Sequence, residues 1–208
     1  MQNTVMIYGP AFSSYVRSVM LCCEEVEIPY ELVKPSKEEL PHPFGKVPVL
    51  IDGDVTIFET AAICRYLDRR SNRANLSSSD IRQLAWMDQW ISAANCYFDP
   101  TFIRRLVLEI AFPTGANGEI VEANIASVLP EVDHCLGVAD AALATYPYFS
   151  GMQPGIADYL IMPMIDYLHR CKRVDDLLGK FARMTRYYEG MRLRPSCRKI
   201  LVAPRLIV

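Results

Sequence analysis

The sequence predicts a two-part fold: an α/β domain over residues 1–70, a linker over 71–79, and an all-helical domain over 80–208. Three observations carry that prediction. Short strand-like and helix-like runs alternate up to about residue 70. A polar, serine-rich stretch without period, Ser71-Asn72-Arg73-Ala74-Asn75-Leu76-Ser77-Ser78-Ser79, then interrupts them. Beyond it, apolar residues recur at helical spacing.

Val5 to Tyr8 reads as a strand, ended by Gly9-Pro10. Ser14 to Glu27 carries Val16, Val19, Met20 and Cys23 at helical spacing. Pro29 interrupts, and Tyr30 to Val33 is a second strand, so the first βαβ unit should be parallel and right-handed. Val49-Leu50-Ile51 is a short apolar run, and Asp52-Gly53 supplies a tight-turn signal. Val55 to Phe58 returns as a strand of mostly β-branched and aromatic residues. Thr60 occupies the N-cap place before Ala61-Ala62-Ile63. The order β-α-β, connection, β-β-α is that of a thioredoxin-like domain. In the helical half, Ser79-Asp80 opens a helix with Ile81, Leu84, Ala85, Ile91 and Ala94 as apolar positions. Pro100 is expected to kink or break it before the pattern resumes from Phe102 to Ile110. Pro113 to Gly118 is a loop. Glu119 to about Thr145 forms a long helix that buries Ile120, Ile125, Val128, Val132, Leu136 and Leu143. Gly155 to Cys171 is a third, very apolar and central.

The chain has 208 residues, 51% of them hydrophobic, which provides a sizeable core. Its formal charge is 22 − 24 = −2, and its pI is near 5.9. No basic excess points to nucleic acid. The most apolar stretch, Tyr159 to Ile165, is too short to span a bilayer, and the first four residues do not resemble a signal peptide. Seven cysteines occur without Cys-x-x-Cys or Cys/His metal spacing. They read as free thiols in a reducing compartment, and no metal is expected.

Two places carry chemistry. Val47 precedes Pro48, so its backbone is extended, and at an edge its N–H and C=O can pair with an extended ligand. The helix opening at Thr60 presents unpaired N–H groups that favour an anion. In the first turn, Tyr8-Gly9-Pro10-Ala11-Phe12-Ser13-Ser14, a hydroxyl at a helix N-terminus can donate to a thiolate and lower its pKa. Taken residue by residue, the hairpin is an ordinary hairpin, and Ser13 or Ser14 is a helix cap.

The order of Ser13, Val47-Pro48 and Glu59-Thr60 resembles the cytosolic glutathione S-transferase family, in its serine-type, phi-like and bacterial branch. The resemblance covers nearly the whole chain. It implies a cis Val47–Pro48 peptide pairing with the cysteinyl backbone of glutathione. It also implies that Glu59 and Thr60 hold the γ-glutamyl end and that Ser13 is the catalytic serine. Ser14 and, more weakly, Tyr8 are rivals. Arg17 falls on the basic side of the first helix. The connection from Lys34 to Pro43 is shorter than the family usually shows, so the glycine carboxylate falls to Lys37, His42 or Lys46. Phe12, Tyr15 and part of Tyr97 to Arg105 are candidates for an apolar second pocket. Most of Trp86, Trp90, Tyr97, Phe98 and Phe102 should be core or interface.

Phe149 to Asp158 matches the family's helix-capping signature in length, with Gly155 where a Ser or Thr is usual. The lost side-chain acceptor should cost a few tenths of a kcal/mol, while Asp158 at N3 still bonds the Gly155 N–H. The implied activity is attack of the glutathione thiolate on a hydrophobic electrophile, with glutathione as co-substrate, in a cytoplasmic homodimer. Two other classes remain: a transferase-like binding or scaffold protein, and a glutathione-dependent thiol-disulfide reductase or peroxidase. The latter uses cysteine in the first turn, where this chain has Ser13-Ser14.

Overall fold

The computed structural model describes residues 4–36, 38–72, 76–171, 174 and 176–202. Strand β1 (Val5–Tyr8) alternates buried and half-buried residues and lies inside the sheet. It pairs in parallel with β2 (Tyr30–Val33) and antiparallel with β3 (Val49–Asp52). β3 pairs antiparallel with β4 (Val55–Phe58), which gives the order β2-β1-β3-β4. Gly53, at φ +61°, takes the first loop position of the β3–β4 hairpin.

Helix α1 (Ser14–Glu25) stops two residues before the expected Glu27. Glu27 turns to φ +55°, and the Ile28 N–H donates back to the Cys23 carbonyl at 3.0 Å, so a left-handed C-terminal cap ends the helix. Helix α2 (Thr60–Arg70) begins with Thr60 itself, which corrects its expected place as N-cap. The cap is Glu59, at φ +68°, with no side-chain bond to the helix. Asp52 accepts the Tyr66 hydroxyl at 2.7 Å and pairs with Arg70, tying β3 to α2.

The second half opens with α3 (Ile81–Ala93), capped by Asp80, which accepts from the N–H groups of Arg82 and Gln83 at 2.8 and 3.1 Å. Pro100 does not break the run. The backbone winds into a π-helix over Ala94–Val107 and returns to α geometry in α4 (Leu108–Ala111). The wider coil bonds each N–H one residue further back, as the Leu108 N–H does to the Ile103 carbonyl. The ring of Pro100 then avoids the i−4 carbonyl it would strike in an α-helix.

Helix α5 (Glu122–Ala142) starts three residues after the expected Glu119 and ends before Leu143. The Gly115 N–H closes a turn onto the Glu119 carbonyl, and Ile120 packs on the core from the loop. Helix α6 (Ile156–Arg170) is buried from Ile156 through Leu168. The sequence reading resolves no separate helix after Cys171. The structure has α7 (Ala182–Arg192) and α8 (Pro195–Ile200) there. One hydrophobic core runs from Val5 and Ile7 through Val16, Leu106 and Leu160 to Met184, joining both halves.

The capping signature departs from the sequence expectation. A Cβ on Gly155 would lie 2.2 Å from the Leu76 carbonyl oxygen, which accepts the Ile156 N–H at 3.1 Å. The missing cap acceptor is supplied from elsewhere: Ser150 Oγ accepts the Ala157 N–H at 3.2 Å. Asp158 bonds the Gly155 N–H at 3.0 Å, as expected. The aromatic-rich stretch is also mostly internal. Trp90, Phe98 and Phe102 are core, Trp86 is half-buried, and Tyr97 stands exposed. Among the described residues, no helix is long and apolar enough to cross a membrane.

Candidate active site

The turn after β1 passes close to the loop before β3. Gly9 sits at φ +144°, and a Cβ there would meet Val16 Cγ2 at 2.6 Å and Val47 Cβ at 3.0 Å. Only glycine fits both the backbone angle and the space. This approach sets Val47 beside the start of α1. The Val47–Pro48 peptide is cis. Neither the N–H nor the C=O of Val47 has a backbone partner among the described residues, so both are free for an extended ligand.

Ser13 caps α1 with extended backbone. Its Oγ accepts the Val16 N–H at 3.4 Å, near the limit for a hydrogen bond. The hydroxyl proton stays free to donate. The preceding turn is clamped from the second half of the chain. Arg17 is only 3% exposed. Its Nε donates to the Ala11 carbonyl and its Nη2 to the Val202 carbonyl, both at 3.0 Å. Its guanidinium lies 5.1 Å from the centre of the Tyr167 ring. The Tyr167 hydroxyl donates to the Phe12 carbonyl. Burial raises the Tyr167 phenol above its ordinary range, despite the opposing pull of Arg17, so it keeps its proton.

A cleft of about 460 Å³ opens between these elements, a size suited to a small molecule. It gathers Ser13, Ser14, His42, Lys46, Val47, Pro48, Glu59 and Thr60. Tyr8 does not line it. Lys37 lies outside the described residues. His42 is buried, and its Nδ1 accepts the Phe44 N–H at 3.1 Å, which leaves Nε2 as the nitrogen available to a ligand. Thr60 is 7% exposed at the first position of α2, and neither its N–H nor its hydroxyl has a partner among the described residues. The next N–H groups, of Ala61 and Ala62, are also open, so the helix start offers donors to an anion. The positive φ of Glu59 just before it is local backbone strain of the kind found beside ligand sites.

The opposite wall is largely apolar. Phe12 and Tyr15 line it, and from the stretch Tyr97 to Arg105 only Ile103 and Arg104 do. The sequence reading missed Asn95, Val107, Leu108, Ala111, Phe112 and Tyr167. For Val107, Leu108 and Ala111 the i, i+4 spacing with Ile103 and Arg104 was an available signal. For Tyr167 there was none. The Tyr15 hydroxyl donates to Asn95 Oδ1 at 3.0 Å, and burial followed by the Asp99 charge raises its phenol beyond its ordinary range. Arg104 Nε donates to Asp99 Oδ2 at 2.9 Å.

The chain matches two family models: "Glutathione S-transferase, N-terminal domain" over residues 7–75 and "Glutathione S-transferase, C-terminal domain" over residues 101–195. It is 30% identical over 205 residues to Glutathione S-transferase 4 of Zea mays, covering 94% of this chain and 91% of that one. It is 26% identical over 208 residues to Glutathione S-transferase F11 of Arabidopsis thaliana, covering 95% and 97%. Among solved structures it is similar to a theta class glutathione S-transferase from Xanthomonas axonopodis pv. citri with glutathione bound. That likeness has a TM-score of 0.85 at 27% identity and covers 96% of this chain and 98% of the other.

Proposed function

This chain belongs to the glutathione S-transferase family, and from that premise we propose that it conjugates glutathione to small apolar electrophiles. One observation carries the reading: the Ser13 hydroxyl, the unpaired Val47 backbone and the open start of α2 at Thr60 line one cleft against an apolar wall. Glutathione lies extended along Val47. Its γ-glutamyl carboxylate meets Thr60 and its amino group meets Glu59, while its glycine carboxylate turns to Lys46 and His42. Ser13 donates to the sulfur and favours the thiolate. The thiolate sulfur attacks the electrophilic carbon and a C–S bond forms; from an aryl halide the halide departs with its electron pair, and in an enone the C=C π pair moves to the enolate, which takes a proton from water. Holding both reactants in one cleft supplies the rest of the acceleration. Product formation faster than with free glutathione, across a panel of aryl halides and enones, tests the reading. No acceleration with any of them overturns it.

Thr60→Ala should weaken glutathione binding by roughly 1 kcal/mol or more, because a hydrogen bond to a charged group is lost. Unchanged affinity in titration calorimetry contradicts the placement of the γ-glutamyl end.

The active form is a cytoplasmic homodimer, with residues 1–70 and 80–208 as its two domains. Most of the aromatic stretch read as core or interface is core. Support comes instead from exposed apolar residues, Ile81 and Tyr97 in the helical half and Phe44 in the loop before β3. A monomeric mass in sedimentation at micromolar concentration would contradict the dimer.

A further inference from the structure

On the conjugation reading, glutathione's two carboxylates are met by the α2 start and by Lys46 with His42. A second cation lining the cleft, Arg104, is left over. Its surroundings are one-sided. Asp99, 7% exposed, takes its Nε from behind, while the Arg104 side chain is 54% exposed. The terminal guanidinium N–H groups have no partner among the described residues. Asn95 has the same bias: its Oδ1 is occupied by the Tyr15 hydroxyl at 3.0 Å, which leaves its amide N–H groups open. The second Asp99 oxygen has no partner but is buried behind Arg104 and does not line the cleft, so what Asn95 and Arg104 present to it are donors and a cation. Beside it, Ile103, Val107 and Phe112 present an apolar surface.

We propose that the Asn95–Arg104 face is a subsite for a carboxylate carried by the electrophile, so that the preferred substrates are flat apolar electrophiles with an acidic end. A guanidinium with open terminal N–H groups matches a carboxylate in geometry and charge. A neutral ester accepts hydrogen bonds from the same groups but gains no charge attraction.

The test uses 4-chloro-3-nitrobenzoate and its methyl ester. In both, the thiolate adds at the chlorine-bearing carbon and chloride leaves with the bonding pair. Each kcat/KM is divided by the rate constant with free glutathione, which removes the intrinsic difference in reactivity. The expected ratio of acid to ester is about tenfold, equivalent to about 1.4 kcal/mol. Asp99→Asn removes the compensating charge and should raise the ratio. Arg104→Met on the Asp99→Asn background, which leaves no unpaired buried carboxylate, should bring it to about one. A ratio near one in the wild type, or one that survives the double substitution, overturns the subsite. A ratio that survives while the glutathione KM rises equally with both electrophiles assigns Arg104 to glutathione and also overturns it. If neither compound outpaces free glutathione while aryl halides without the acid do, the subsite alone fails. If no electrophile is accelerated, the conjugation reading fails with it.

Discussion

Ser13→Ala will lower the turnover of conjugation by about 10²–10³-fold, the usual effect of removing one donor from a developing or stabilised anion. Glutathione will still bind, because Val47 and Thr60 are untouched. The pKa of the bound thiol will rise toward that of a free thiol, about 8.5 for cysteine, and the pH profile of turnover will move up with it. Ser13 is also the cap of α1, so the substitution has a structural cost. That cost belongs at the low end of the usual range, about 0.5 kcal/mol, because the cap bond to the Val16 N–H is long at 3.4 Å. A small shift in melting temperature beside a large loss of turnover separates catalysis from capping. Ser14→Ala will do much less. If Ser14→Ala abolishes turnover and Ser13→Ala does not, Ser14 is the stabiliser. If neither matters, backbone N–H groups of the turn carry the role.

The largest stability effect is expected at Asp158. Its carboxylate is fully buried and collects four donors: the N–H groups of Phe149 at 2.9 Å, Ser150 at 3.0 Å and Gly155 at 3.0 Å, and the Tyr187 hydroxyl at 3.0 Å. These join the loop before α6, the start of α6 and α7. Asp158→Ala leaves all four donors buried without an acceptor and should cost about 3–5 kcal/mol. For a chain of this size that lowers the melting temperature by on the order of 10 °C. Tyr187→Phe removes a single donor and should cost about 1 kcal/mol. Melting curves of the two variants that coincide would contradict the hub.

The elements of the first half were legible because their signals are local. Gly9-Pro10, Pro29 and Asp52-Gly53 punctuate the chain, and strands and helix lie between them with little choice. The residues gathered in the cleft were legible only as an ordered set, since each one alone is a common cap or loop residue. Misreadings came where a distant partner decides the local structure. At the start of α6, the Leu76 carbonyl excludes a side chain at Gly155, and Ser150 supplies the cap from outside the helix. Pro100 looked like a break because the breaker rule assumes α winding, and nothing in the local pattern announces a π coil. Tyr167 reads as one more apolar position of α6, yet its hydroxyl reaches the Phe12 carbonyl beside Ser13, 155 residues earlier in the chain. Asn95 and Arg104 carry no sequence mark that separates them from solvated helix residues.

The clamp on that turn also has a consequence in time. Arg17 reaches the Val202 carbonyl across 185 residues, and Arg170 donates to the neighbouring Leu201 carbonyl at 2.7 Å. On the ribosome, at about 5–20 residues per second, the chain emerges with Ser13 about 10–40 s ahead of those carbonyls. For that interval the α/β half can form its sheet, but the guanidinium at its helix start lacks its last acceptor. The turn that carries Ser13 is therefore finished by a segment synthesised long after it, so a chain that has not yet reached Leu201 and Val202 holds that turn without its clamp.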